Sequence, residues 1–134
     1  LYPLSLEGAL KLKEISYIHA EGFSAGEMKH GPIALIEEEL PVISLLGNDH
    51  HSTKTISNLR EASARGAKLI IIADEGSENK IDFAHEILRI PFLHKDITPI
   101  ICSIPIQMLA YHTAVCKGTD VDQPKNLAKS VTVE

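Results

Sequence analysis

The run AKLIIIA at positions 67–73 constrains the fold of this chain more than any other segment. Its isoleucines favour a strand, and the absence of polar and apolar alternation after Lys68 predicts that both faces of that strand are buried. Residues 40–46 form a second apolar run that ends at Gly47, and residues 87–90 form a third, shorter one. Strands buried on both faces are typical of parallel sheets that helices cover on each side.

Helical patterns alternate with these strands. We expect helices over residues 3–19, 24–29, 52–65 and 97–116, the third closed by Gly66 and the last by Gly118. A short strand over residues 20–23 is a weaker expectation. The alternation predicts an α/β fold, a three-layer αβα sandwich with a parallel, flavodoxin-like sheet, and 134 residues suit a single domain spanning 1–134. Because the chain opens at Leu1, directly in a helical pattern, we expect it to be part of a longer polypeptide.

The composition excludes some functions. With 18 acidic and 13 basic residues the net charge is −5, which argues against broad binding to nucleic acid or to anionic lipid. Two cysteines without a metal or redox motif indicate a reduced, cytoplasmic protein with both thiols packed. Residues 97–116 carry no acidic or basic side chain, but Pro99, Pro105 and His112 favour a buried helix with a proline bend over a membrane span.

The charged residues Glu7, Lys11 and Glu14 are spaced i, i+4 and i+7, which places them on one narrow arc of the first helix. Apolar residues flank this arc, whereas Lys13 falls on the other side of the helix. The arc is either a surface ladder of ion pairs or a lysine with two carboxylates facing a pocket, where neighbours can tune their pKa values for proton transfer.

Two further regions carry candidate chemistry. His30 follows a short helix and precedes a Gly-Pro pair, so it is either a surface histidine or a proton shuttle. In the tail, residues 118–134, Asp122 and Pro124 resemble a capped helix start, and Lys129 could serve as an amine nucleophile toward a carbonyl. The adjacent histidines in the loop after residue 47 have no third ligand in place, so we expect neither a metal nor a cofactor.

Three segments resemble one family. Residues 6–21 (LEGALKLKEISYIHAE) are similar to the opening of the second sugar-isomerase (SIS) domain of glucosamine-6-phosphate synthases, and residues 26–32 (GEMKHGP) to its next motif. Residues 120–134 (DVDQPKNLAKSVTVE) resemble the carboxyl terminus of that family, which is the most specific of the three matches. The resemblance spans essentially the whole chain, with residues 118–134 as the catalytic tail.

The resemblance implies a role for each matching residue. Lys129 corresponds to the lysine that forms a Schiff base with the open-chain ketose, and Glu14 to the base that moves a proton between C1 and C2. Lys11 and Glu7 correspond to the charged partners of that base. His30 corresponds to the ring-opening histidine, which serves the neighbouring subunit of a homodimer. For Ala128 the resemblance implies a backbone contact to the sugar.

The same resemblance implies fructose 6-phosphate and glucosamine 6-phosphate as ligands, and a glutaminase domain and a first SIS domain as partners in a longer chain. The family binds the sugar phosphate through a Ser/Thr-rich loop of that first domain, which the loop at residues 47–53 does not match, although Ser52 and Thr53 could bind an anion at a helix start. We therefore expect the isolated chain to be inactive. The alternatives are another SIS isomerase or deglycase, and a non-catalytic module that senses sugar phosphates.

Overall fold

The computed structural model describes residues 1–77 and 81–125, and within them the chain forms three α-helices, two 3₁₀ helices and three strands. In chain order these are α1 (Tyr2–Ser16), the 3₁₀ helices Ala25–His30 and Pro32–Leu35, β1 (Pro41–Leu46), α2 (Ser52–Ser63), β2 (Lys68–Asp74), β3 (Glu86–Ile90) and α3 (Thr98–Cys116).

The three strands form one parallel sheet in the order β1-β2-β3. The run that most constrained the fold supplies β2, which lies in the middle, and its residues Leu69, Ile71 and Ala73 have no exposed surface. Parallel pairing and burial on both faces confirm the prediction made from the β-branched pattern.

Alternate residues of β2 face two separate hydrophobic cores. Leu69 and Ile71 pack with Ile56 and Leu59 of α2 and with Met28 of the first 3₁₀ helix. On the other face, the second core is made of residues from β2, β3 and α3, with partly buried residues of β1 and the start of the chain against it; its buried members are Ile72, Ile90, Cys102 and Ile106. Helices therefore cover both faces of the sheet, which confirms the three-layer αβα sandwich.

The ends of α1 and α2 depend on left-handed residues. Tyr17 has φ 54° and ends α1 at Ser16, three residues before the predicted end at position 19. Gly66 has φ 87° and ends the turn after α2, where the Ala67 N–H donates to the Ala62 carbonyl at 3.2 Å. A side chain at Gly66 would also meet the backbone of Glu38 at 2.9 Å. Residues 20–23 form no strand, and the predicted helix at 24–29 is the 3₁₀ helix Ala25–His30.

The long apolar helix is buried along one side only, so the expectation of a buried helix was wrong for its outer side. Ile104 is 56% exposed, whereas the buried residues of α3 recur every four positions and are Thr98, Cys102, Ile106, Ala110 and Ala114. Among the described residues α3 is long and apolar enough to cross a membrane, but the core helix of a soluble protein also meets this criterion of length and composition. Cys116 is exposed, so the expectation that both thiols are packed holds only for Cys102.

Candidate functional site

The charged arc of α1 is assembled as the spacing predicted. The Lys11 Nζ lies 3.4 Å from the Glu7 Oε1 and 3.2 Å from the Glu14 Oε2. The three side chains are between 27% and 43% exposed, with Glu14 the least exposed. Ion pairs this accessible stabilise a helix by only about 0.3–0.5 kcal/mol each. This small stabilisation does not by itself explain why three charged side chains are grouped here.

The two glutamates of the arc favour the protonated form of Lys11. Its hydrogen bond to Glu14 raises the pKa of the ammonium group; burial opposes this, and the charges of both glutamates add to it. Because an amine nucleophile must first lose its proton, a lysine with a raised pKa is a poor candidate for that role. Lys11 is instead suited to hold the two carboxylates in place as a permanent cation.

Close packing fixes the orientation of α1. Gly8 allows the helix to approach α3, since a Cβ there would lie 2.9 Å from the Ile106 Cγ2. The buried Ser16 hydroxyl donates to the Ala110 carbonyl at 3.2 Å. Leu4 packs against the core between the sheet and α3. These contacts occupy one side of α1 and leave the arc of Glu7, Lys11 and Glu14 on another.

The start of the tail is anchored beside the end of α1. The Thr119 hydroxyl donates to the Ile15 carbonyl at 2.7 Å, next to Glu14 in the chain. Six residues further on, the Lys125 N–H donates to the Tyr17 hydroxyl at 2.6 Å. Sequence reasoning did not identify these two anchors, because they join residues 104 and 108 positions apart.

The predicted helix start at Asp122 and Pro124 would continue into residues 126–134, which lie outside the described residues. Just before it, the Asp120 Oδ1 accepts backbone hydrogen bonds from the N–H groups of Asp122 at 2.9 Å and Gln123 at 3.0 Å. Ala128 and Lys129 lie outside the described residues, so the contact to the sugar and the Schiff-base role stay predictions.

His30 is placed in a different layer from the charged arc. His30 ends the first 3₁₀ helix, which packs against α2 through the buried Met28. Two polar contacts add to this packing: the Asn58 Nδ2 donates to the Ala25 carbonyl at 2.9 Å, and Lys29 forms a 2.5 Å ion pair with Glu61. The His30 side chain is exposed. Because α1 covers the opposite face of the sheet, the structure does not bring His30 together with Glu14 of the same chain.

A buried acid lies at the carboxyl end of β2, beside the loop after β1, and this is the edge of the sheet at which ligands bind in folds of this kind. Asp74, at the end of β2, is 1% exposed, and its Oδ2 accepts from the Asn48 N–H at 3.1 Å. Its Oδ1 and the Ser77 hydroxyl are buried without a hydrogen-bond partner among the described residues. Burial raises the pKa of Asp74, and the nearby charge of Asp49 adds to the rise. The sequence indicated this loop, because Asp74 follows an apolar run at the end of a predicted parallel strand, but it did not indicate that the acid is buried.

Neither an anion site nor a metal site is supported at this loop. The Asp49 carboxylate already accepts the His51 N–H at 2.7 Å at the start of α2, and its negative charge opposes an anion beside Ser52 and Thr53. Across residues 1–77 and 81–125, no three histidine, cysteine or acidic side chains are grouped to hold a metal ion.

The burial of Asp74 predicts a specific dependence of stability on pH. The pKa of Asp74 in the folded chain is above its value in the unfolded chain. The protonated carboxyl therefore stabilises the folded chain at low pH, and this stabilisation is lost as the pH rises through the folded pKa. The Asp74→Asn variant has no carboxyl group to ionise at this position, so it does not lose stability in this way as the pH rises. The free energy of unfolding of the variant minus that of the parent should therefore rise with pH, measured by urea denaturation between pH 3 and 7.

A control of opposite sign is available at Glu39, whose pKa is lowered by its ion pair with Lys68. For Glu39→Gln the same difference should fall as the pH rises. A pH-independent difference for Asp74→Asn would contradict the burial of an ionisable Asp74.

Comparison with known proteins gives a consistent result. The family model described as the SIS domain matches residues 1–117. The chain is 59% identical over 135 residues to a glutamine–fructose-6-phosphate aminotransferase [isomerizing] of Rhizobium meliloti and 60% identical over 134 residues to one of Zymomonas mobilis. Each alignment covers 99% of this chain and 22% of the relative, so the chain spans about a fifth of those proteins.

Solved structures agree with the fold. The C-terminal domain of the glucosamine-fructose-6-phosphate aminotransferase of Francisella tularensis superimposes with a TM-score of 0.87 at 48% identity, covering 91% of this chain and 34% of that one. A glucosamine-6-phosphate deaminase of Thermotoga maritima gives a TM-score of 0.71 at 25% identity over 94% of this chain and 35% of that one.

Proposed function

The chain belongs to the SIS domain family, and from that premise we propose that it forms the sugar-isomerising part of a glutamine–fructose-6-phosphate aminotransferase. That enzyme would convert fructose 6-phosphate and glutamine-derived ammonia to glucosamine 6-phosphate for hexosamine synthesis. The proposal treats residues 1–134 as one SIS domain with a catalytic tail at 118–134, in a cytoplasmic protein. The names of the relatives at 59% and 60% identity support it.

The observation that carries the proposal is the anchoring of the tail beside Glu14. Thr119 binds the carbonyl of the residue after Glu14, and the Lys125 backbone binds Tyr17 three residues beyond it. Lys129 follows Lys125 by four residues, which span at most roughly 14 Å when extended. The tail is therefore tethered, four residues before Lys129, to the end of the helix that carries the charged arc, and this supports the assignment made from the resemblance.

We assign the chemistry to the chain's residues as follows. The Lys129 amine adds to the C2 carbonyl of the open-chain ketose and water leaves, which gives a Schiff base; ammonia then takes the place of the lysine at C2. Glu14 takes a proton from C1 while the imine nitrogen gains one, which gives an enolamine. A proton then adds at C2 and the C1 hydroxyl loses its proton, which leaves an aldehyde at C1 and an amine at C2. Lys11, held charged by its two carboxylate neighbours, keeps Glu14 and Glu7 oriented. Ala128 contacts the sugar through its backbone.

We further propose that His30 opens the sugar ring in the site of a neighbouring subunit of a homodimer. Its exposed side chain and its place on the face of the sheet away from α1 support a role outside its own chain's site. The sugar phosphate would be bound by a first SIS domain and ammonia supplied by a glutaminase domain, both in the remaining length that the relatives possess.

The isolated 134-residue chain should not form glucosamine 6-phosphate, even with ammonia supplied. Its loop at residues 47–53 presents the Asp49 carboxylate at the start of α2, which repels a phosphate rather than binding it. The measurement is product formation by mass spectrometry with fructose 6-phosphate and ammonium. The chain inserted in place of the matching segment of a full-length relative is the positive control, and sustained turnover by the isolated chain would contradict the expectation.

A further inference from the structure

The end of α1 binds the tail at two points. The Thr119 hydroxyl donates to the Ile15 carbonyl at 2.7 Å, and the Tyr17 hydroxyl accepts from the Lys125 N–H at 2.6 Å. Ile15 and Tyr17 lie one and three residues after Glu14. The Thr119 Oγ also lies 3.1 Å from a carbonyl oxygen of α3, so this side chain joins the ends of both helices. The tail is therefore connected to the helix that carries Glu14 as well as to α3, from which it continues.

Tyr17 occupies a position at which a side chain is unfavourable. It follows the last residue of α1 with φ 54° and ψ 34°, in the left-handed region, and its N–H donates to the Leu12 carbonyl. Glycine is the usual residue there, because the backbone crowds a Cβ in this conformation. Within residues 1–77 and 81–125, only Tyr17 and Glu39 have a positive φ without being glycine. A bulky residue in this conformation indicates that its side chain has a function.

The hydroxyl is the part of Tyr17 that a phenylalanine would lack. The side chain is 40% exposed, so burial of the ring accounts for only part of its contribution. Phenylalanine would bury as much apolar surface, but it has no oxygen to accept the Lys125 N–H. Because that donor belongs to the backbone, the bond fixes the path of the chain at position 125 whatever side chain that residue carries.

We propose that Tyr17 and Thr119 are positioning residues for Lys129, and that their hydroxyl groups hold the tail in the place where Lys129 acts together with Glu14. This inference rests on the proposed function, in which the lysine forms a Schiff base and Glu14 moves a proton on the same sugar. A misplacement of about 1 Å at a reacting group can lower a rate by roughly a hundredfold. Binding the tail to the helix end that carries Glu14 keeps the two groups together.

The first test measures turnover in a full-length chimaera, in which this chain replaces the matching segment of a relative. Tyr17→Phe and Thr119→Val should each lower kcat roughly 3–10-fold, the value of one hydrogen bond, because each variant keeps the other bond. The double variant should lose more than tenfold. KM for fructose 6-phosphate should stay at the parent value, since neither side chain is placed against the sugar. The rate at which borohydride traps the Lys129 adduct should fall with kcat.

Two further variants serve as controls in the same chimaera. Thr119→Ser keeps the hydroxyl group and should restore the parent rate that Thr119→Val loses. Tyr2→Phe removes a tyrosine hydroxyl from the first turn of α1, roughly 20 Å along the helix from Tyr17, and Tyr2 is similarly exposed at 49%. Tyr2→Phe should leave kcat and the trapping rate unaltered.

Hydrogen exchange followed by mass spectrometry separates a loosened tail from a general loss of stability. In peptides that contain Lys125, Tyr17→Phe should accelerate exchange about 3–10-fold, whereas peptides from β2 should exchange as in the parent. This measurement does not depend on the chemistry that the tail performs.

The proposal is overturned if kcat is unaltered in the double variant, or if Tyr2→Phe lowers it as much as Tyr17→Phe. Faster exchange of the tail with kcat at the parent value would also overturn it, because the tail would then be held for a reason other than catalysis. Failure of the proposed function gives a different result, a parent chimaera on which borohydride traps no adduct.

Discussion

Replacement of Lys129 by methionine should lower the formation of glucosamine 6-phosphate to at most about a thousandth of the parent rate, because methionine has similar length but no amine to add to the ketose carbonyl. The assay uses a chimaera in which this chain replaces the matching segment of the Rhizobium meliloti relative, to which it is 59% identical. Borohydride reduction with fructose 6-phosphate should trap a covalent adduct on the parent and none on the variant.

The matched control is Lys125→Met in the same tail. The backbone N–H of Lys125 holds the tail to Tyr17, and this bond survives replacement of the side chain. The control should therefore retain turnover and the trapped adduct. If Lys129→Met keeps both, another SIS isomerase or a sugar-phosphate sensor becomes the better interpretation, since neither needs an amine at this position.

Glu14→Gln should reduce turnover in the same chimaera by roughly a hundred- to ten-thousandfold, the usual contribution of a positioned acid or base. Glutamine keeps the size of the side chain and a hydrogen bond from Lys11, which in the parent spans 3.2 Å, but it cannot accept a proton from C1. The Lys129 adduct should still form, since that step does not need Glu14 as the base. The result to measure is therefore a loss of turnover with a retained adduct.

Glu21→Gln is the control for this change, because Glu21 is an exposed glutamate beyond the end of α1. Glu21→Gln should leave both turnover and the Lys129 adduct unaltered. Loss of the adduct together with turnover in Glu14→Gln would assign Glu14 to binding or to the fold rather than to proton transfer. Unfolding measurements should show a change of only about 0.5 kcal/mol, the value of an accessible ion pair on a helix.

Local patterns were sufficient to predict most of the fold. The uninterrupted β-branched run predicted β2 and its burial, because both depend on neighbouring residues. Gly66 indicated the turn that follows α2, but the helix ends at Ser63 and not at position 65 as predicted. The end of α1 was misplaced, since nothing in the composition indicates that Tyr17 adopts a left-handed conformation. Hydropathy predicted that α3 is apolar, but it could not show that one of its sides is left without a partner.

The candidate site, like the fold, was predicted from local patterns only in part. Helical spacing alone brought Glu7, Lys11 and Glu14 together, because i, i+4 and i+7 positions share a face in any helix. The burial of Asp74 and the anchors of the tail could not be predicted, since they depend on segments distant in sequence meeting around the sheet. The separation of His30 from the arc depends on which face of the sheet each helix covers.

The bonds that orient α1 also determine when it can be oriented during synthesis. Ser16 of α1 bonds to Ala110, which lies 94 residues later in the chain, and Ile15 bonds to Thr119, which lies 104 residues later. At about 5–20 residues per second, a ribosome needs roughly 5–20 s to add that length of chain. The helix that carries Glu14 is therefore made before the residues that seat it, and during that interval its apolar side chains are accessible to chaperones.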